Sequence, residues 1–308
     1  MTFLNPDLMA RVMKVGVIGG GKWGQALHFS FSHNHESVLY SRSPKEVQGF
    51  ASLEEVLGCS LLVFALPAQV ADQWLGEYFK DAGQSILVAS KGIDVQKRAF
   101  LNEIFTQHIP AQRLAFLSGP SFAAEVMRAL PTALVVSSFS SSTAKSYASL
   151  FPAFIKTYTS DDVIGAEVSG AYKNVIAIAS GICDGLELGN NARASLIARG
   201  LVEMARFGLH FGAKESSFLG LSGAGDLFLT ASSTLSRNYR VGLGLAKGKA
   251  LHCILEELGE VAEGVYTAKA INIMSHERGI YTPIANEVAK MLEGKPPLES
   301  LRDLLSQS

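Results

Sequence analysis

In the first half of the chain, apolar residues fall in short continuous runs rather than in strict alternation. The runs Lys14–Gly19, Val38–Tyr40, Leu61–Leu66, Ser85–Ala89, Leu114–Leu117, Thr132–Ser137 and Ile155–Thr159 are bounded by turn residues and read as strands. Continuous hydrophobicity suits strands covered on both faces, as in a parallel sheet between helical layers. Helix-like stretches lie between them at Gly24–Ser32, Leu53–Gly58, Gln69–Phe79, Arg98–Gln107 and Ser142–Phe151. This alternation predicts an α/β region with a doubly wound, mostly parallel sheet. Past Asp161 the pattern changes. Glu167–Cys183, Ala192–Phe211, Leu251–Leu258, Val265–Arg278 and Ile284–Leu292 read as helices, the last with Pro283 at its start. A boundary is therefore expected near residue 160, between an N-terminal sheet domain (1–160) and an all-α C-terminal domain (161–308).

Composition narrows the function classes. The 308 residues leave room for two cores. A net charge of -1, from 27 Lys+Arg against 28 Asp+Glu, gives no basis for nucleic acid or an anionic membrane as partner. The three cysteines, Cys59, Cys183 and Cys253, form no CxxC pair and no metal-ligand spacing, so they read as small buried hydrophobes in a reducing compartment. Residues 1–12 lack the pattern of a signal peptide and read as a short extension, with Met13 a candidate start. No apolar window is long enough for a membrane span. A cytoplasmic, soluble protein with no metal is the expectation.

Gly19-Gly20-Gly21-Lys22-Trp23-Gly24 satisfies G-x-G-x-x-G between the first strand and the first helix. Gly19 permits the tight turn, Gly21 lets the backbone approach a pyrophosphate, and Gly24 lets helix and strand pack closely. The helix N-terminus then faces the anion with unpaired N–H groups. The N-terminal domain is thus read as an NAD(P)-binding Rossmann-like fold. Where a strictly NAD-binding domain carries an acid after its second strand, this chain has Tyr40-Ser41-Arg42. Arg42 can pair with an adenosine 2′-phosphate, which makes NADP a candidate and leaves NAD open.

Lys173 is the only charged residue between Glu167 and Asp184. A lysine on a packed helix must pair its ammonium, lower its pKa or snorkel to solvent. Composition leaves a cleft-facing amine and a snorkelling one equally open. Asp226, in Ser222-Gly223-Ala224-Gly225-Asp226-Leu227, is a candidate carboxylate partner or a plain helix N-cap. Ser236-Arg237-Asn238-Tyr239-Arg240 clusters planar donors that suit a phosphate.

With these residues in view, the chain resembles the bacterial NAD(P)-dependent glycerol-3-phosphate dehydrogenase family along nearly its whole length. The resemblance rests on GGGKWG (19–24), SKGI (90–93), SGPSFAAEV (118–126), EVSGAYKNVIAIASGICDGLELGNNARASL (167–196), SGAGDL (222–227), SRNYRVG (236–242) and VAEG (261–264). It implies reversible hydride transfer between NAD(P)H and dihydroxyacetone phosphate, giving sn-glycerol 3-phosphate for phospholipid synthesis, in a homodimer. By position it implies that Lys173 is the catalytic lysine and Asp226 its acidic partner. Ser236, Arg237 and Asn238 would hold the substrate phosphate, and Lys91 would reach the substrate from a strand end. Cofactor contacts are implied at Lys22, Trp23, Arg42, Lys91, Gly119, Ser121, Ala123, Arg237, Val261 and Glu263, and Thr230 would assist near the phosphate.

The chain departs from the family between Arg42 and Leu61, where SPKEVQGFASLEEVLGCS replaces a longer segment. That puts the adenosine side, not the catalytic residues, in question. Two other readings stand beside this one: a related 3-hydroxyacid dehydrogenase, and a non-catalytic NADP-sensing protein.

Overall fold

A computed structural model describes residues 12–306; apart from Val12, the expected N-terminal extension lies outside the described residues. Among the described residues, nine strands occur in chain order: β1 (Lys14–Ile18), β2 (Glu36–Tyr40), β3 (Leu61–Phe64), β4 (Ser85–Val88), β5 (Ile93–Asp94), β6 (Ala99–Phe100), β7 (Leu114–Ser118), β8 (Thr132–Ser137) and β9 (Ile155–Ser160). Seven of them form one sheet in the order β2-β1-β3-β4-β7-β8-β9, while β5 and β6 make a separate hairpin. All neighbours in the large sheet are parallel except β7 and β8.

The continuous apolar runs have a direct cause. Leu61 and Val63 of β3 pack with Leu27 and Phe31 on one face of the sheet, while Leu62 and Phe64 pack with Trp74 and Phe105 on the other. A strand with both faces covered has no polar side to show. The register Val15↔Leu61 and Val63↔Leu87 keeps these two sets apart across neighbouring strands. Strand order reverses at β1, which is flanked by β2 and β3, so a crevice opens beyond the carboxyl ends of β1 and β3.

The expected helix Arg98–Gln107 is shorter than its sequence pattern indicates. Asp94 Oδ1 accepts the backbone N–H of Lys97 at 2.7 Å and Arg98 takes a left-handed φ of 53°, closing the β5–β6 turn. The helix therefore starts only at Leu101. The shortened segment after Arg42 runs along the outer edge of β2, where the Leu39 N–H donates to Gly49 O and the Ala51 N–H donates to Leu39 O, both at 2.9 Å. Of the cysteines, Cys59 and Cys183 are buried as expected, but Cys253 is exposed beside His252.

After β9 the described chain is helical. The helix Val163–Gly185 is buried along almost its whole length because the helices Gly189–His210, Asp226–Ala231, Arg237–Ala246, Glu263–Arg278 and Pro283–Leu292 all pack on it. A helix covered all round has no polar stripe, which is why its sequence is so uniformly small and apolar. Among the described residues, no helix is long and apolar enough to cross a membrane.

Candidate active site

Lys173 projects from the middle of this central helix and is 7% exposed. Its Nζ donates to Asp226 Oδ1, and also to Thr230 Oγ1 at 3.0 Å. The snorkelling alternative is therefore excluded. Asp226 is 1% exposed and is the first residue of the helix Asp226–Ala231, not its cap: Gly225 holds that place without a side-chain bond. The widened turn Leu221–Gly225 precedes it, and Ser222 Oγ lies 2.7 Å from Ser118 Oγ at the end of β7. This contact ties the Asp226 backbone to the sheet.

Lys91 arrives from the sheet side, just beyond β4. Its Nζ donates to Asp226 Oδ2 at 2.6 Å and to Gly119 O at 3.3 Å. One buried carboxylate thus receives two ammonium groups, one from each half of the molecule. Burial, reinforced by the nearby positive charge of Lys91, brings Lys173 down to about 7 despite the opposing charge of Asp226. Burial alone would raise Asp226; the two lysines outweigh it and hold the carboxyl below its ordinary range. Beside Lys91, a small cavity reaches Glu167, whose carboxyl burial pushes up to about 8 although Asn102 donates to both its oxygens.

The glycine turn fits a dinucleotide. Gly19 has φ 116°, and a Cβ there would meet Ala65 O at 2.7 Å. A Cβ on Gly24 would collide with Gly19 O, so helix and strand can meet only with glycine in that place. A Cβ on Gly21 would meet nothing within 4 Å, which leaves open space at the N-terminus of Lys22–Phe31 for a phosphate. Across the crevice, Glu263 begins the helix Glu263–Arg278. Its Oε1 accepts from the Ala68 N–H at 3.1 Å, while its buried Oε2 has no partner and its pKa is pushed by burial to about 7.

The remaining residues read from the sequence divide into those gathered around this centre and those further out. Ser121 Oγ donates to Gly119 O at 3.2 Å, and Ala123 opens the short helix that follows. The Trp23 indole N–H donates to Ala89 O at 3.2 Å, so its polar edge is already engaged by the protein. Ser236 caps the helix Arg237–Ala246, accepting from the Tyr239 N–H at 3.3 Å. Asn238 Oδ1 accepts from the Gly264 N–H at 3.0 Å, which leaves only its amide NH2 for a ligand. Arg237 pairs with Glu260 at 3.2 Å. Arg42 is exposed just past β2, and Val261 is 40% exposed in the segment before Glu263. No sequence motif contains Glu260, which pairs with Lys22 as well as Arg237.

A glycine-rich turn at the switch point of a parallel sheet, together with a buried lysine–carboxylate pair, points to a Rossmann-type dehydrogenase. The comparisons narrow the class. The profile of the NAD-dependent glycerol-3-phosphate dehydrogenase N-terminus matches residues 40–144, and that of its C-terminus matches residues 162–303. The chain belongs to the NAD-dependent glycerol-3-phosphate dehydrogenase family. It is 60% identical to the glycerol-3-phosphate dehydrogenase (NAD(P)+) of a Nitratiruptor species, over 96% of this chain and 99% of that one. Its counterpart in Campylobacter lari is also 60% identical, over 96% and 98% of the two chains. Among solved structures, the glycerol-3-phosphate dehydrogenase of Coxiella burnetii superposes with a TM-score of 0.89 at 30% identity, covering 96% of this chain and 99% of that one. A 2-dehydropantoate 2-reductase from Geobacter metallireducens shares the fold alone, with a TM-score of 0.60 at 13% identity.

Proposed function

We propose that this chain is an NAD(P)-dependent glycerol-3-phosphate dehydrogenase that interconverts dihydroxyacetone phosphate and sn-glycerol 3-phosphate, in a soluble, cytoplasmic homodimer supplying glycerophospholipid synthesis. The observation that carries this reading is the convergence of Lys91 and Lys173 on Asp226. Bound NAD(P)H would supply the hydride that reduces the C2 carbonyl. Lys173 would hold the proton delivered to the carbonyl oxygen as negative charge grows there, and take it back on oxidation. Asp226 would orient that ammonium, with Thr230 as a second acceptor. Lys91 would place a second positive charge at the same oxygen.

Ser236, Arg237 and the Asn238 amide would bind the substrate phosphate, using contacts remote from C2 to align it. Gly19, Gly21, Lys22 and Gly24 would cradle the pyrophosphate, and Arg42 would face the adenosine ribose. Trp23, Lys91, Gly119, Ser121, Ala123, Arg237, Val261 and Glu263 would line the rest of the cofactor path. The change from sheet to helix near residue 160 supports a division into a cofactor half (1–160) and a catalytic half (161–308).

The test is a coupled pair of measurements. Purified protein is mixed with NADPH or NADH, and reduced-nicotinamide absorbance is followed on adding dihydroxyacetone phosphate. Loss of absorbance matched by sn-glycerol 3-phosphate is expected; no loss with either cofactor would overturn the assignment. Sedimentation of the same sample tests the dimer, which a monomer would refute.

A further inference from the structure

Glu260 follows the left-handed Gly259 (φ 62°) that ends the helix Leu251–Leu258 and stands immediately before Val261. Its carboxylate is shared between cations from two distant parts of the chain. Oε1 lies 2.5 Å from Nζ of Lys22, the first helical residue after the glycine turn. Oε2 accepts from Arg237 Nη1 at 3.2 Å, and Arg240, one turn along the same helix, adds its positive charge. Lys22 and Arg237 keep side-chain exposures of 74% and 42%, against 30% for Glu260. Both cations can therefore turn to another anion. The pairs are the half-exposed kind that contribute little and exchange readily.

We propose that Glu260 sets cofactor affinity as an internal counter-ion, its carboxylate competing with the dinucleotide's phosphates for Lys22 and Arg237. This rests on the cofactor path proposed above. A phosphate reaching the N-terminus of Lys22–Phe31 meets Lys22 already neutralised. Binding then exchanges one anion for another instead of filling an unopposed cationic site. The exchange weakens the bound state and speeds its dissociation. It also keeps Arg237 compensated, so that the cationic cluster does not hold every passing phosphate.

The test is Glu260→Gln, which preserves shape and removes charge. NADPH is titrated into the variant and the wild type, and binding is read by nicotinamide fluorescence. The Kd is expected to fall about three- to tenfold at low salt, the equivalent of one weak ion pair, and the gain should shrink as salt screens the site. An unchanged Kd would overturn the counter-ion, and a raised one would make Glu260 a clasp that closes over the cofactor. Glu257→Gln, whose carboxylate pairs with Lys249 at 2.7 Å, is the control for overall charge; an equal gain there would also overturn the proposal. Wild-type protein that binds neither NADPH nor NADH would instead sink the cofactor path itself, a separate failure from an unresponsive Glu260.

Discussion

Lys91 and Lys173 reach the same carboxylate from opposite halves of the protein, one on each oxygen of Asp226. Among the described residues, neither ammonium pairs with any other acid. Asp226→Asn should therefore do two things together. It should lower stability by about 3–5 kcal/mol, because a buried charge loses its partner. It should also lower kcat, because Lys173 loses its orientation. Thermal melts and turnover of the variant check both; a stable, fully active D226N would remove Asp226 from the site.

Lys173→Ala tests the proposed proton donor directly. Turnover in either direction should fall by about a hundred- to ten-thousandfold, the usual contribution of a positioned acid or base. NADPH binding should be nearly unaffected. Full activity, measured beside a fluorescence titration of cofactor, would assign the proton to another group.

The direction of the pH profile follows from the lowered pKa of Lys173, about 7. Below that pH the amine carries the proton needed for reduction; above it the neutral amine can accept one. Reductive kcat/KM should fall as pH rises through about 7, while oxidative kcat/KM should rise over the same interval. Lys91→Met removes the neighbouring positive charge, so the inflection should move to higher pH even as activity drops. An inflection that stays in place would show that Lys91 does not tune Lys173.

Much of this was legible in the sequence, and the parts that were not have physical reasons. The strands of the large sheet are readable because burial on both faces forces unbroken apolar runs. Lys173 was conspicuous because nothing else on its helix is charged, yet its direction depended on Asp226, more than fifty positions on in the chain. The β5–β6 hairpin has no sequence signal because strands of two residues carry no period. The helix Arg237–Ala246 escaped for another reason: Gly242 and Gly244 depress its intrinsic propensity, and only packing against the central helix makes it form. Glu260 had no local signal, since its two partners are brought to it by the fold.

Arg42 bears on the choice of cofactor. It stands where an NAD-specific domain would carry an acid, and it is exposed after β2. Arg42→Ala should raise the KM for NADPH by about tenfold or more, the loss of one charge-assisted bond, and leave the KM for NADH nearly unchanged. Equal effects on both cofactors would remove the 2′-phosphate contact.

The position of the proposed phosphate grip, Arg237 and Asn238, relative to Lys173 depends on two glycines. A Cβ on Gly242 would collide with Ile178 O, and one on Gly181 with Tyr239 O, so the helix bearing Arg237 and Asn238 lies backbone to backbone against the helix bearing Lys173. Gly242→Ala must push the two axes apart. Overpacking of this kind costs about 1–3 kcal/mol, although alanine favours the isolated helix by up to about 1 kcal/mol. The collision is with backbone, which cannot rotate away, so the net effect should be destabilising. Activity should suffer beyond stability, because displacing Arg237 by about an ångström from its alignment with C2 can cost two orders of magnitude in rate. At a temperature where the variant is folded by circular dichroism, kcat/KM for dihydroxyacetone phosphate should fall. A G242A protein with normal kcat/KM would show that the phosphate grip does not depend on this close crossing.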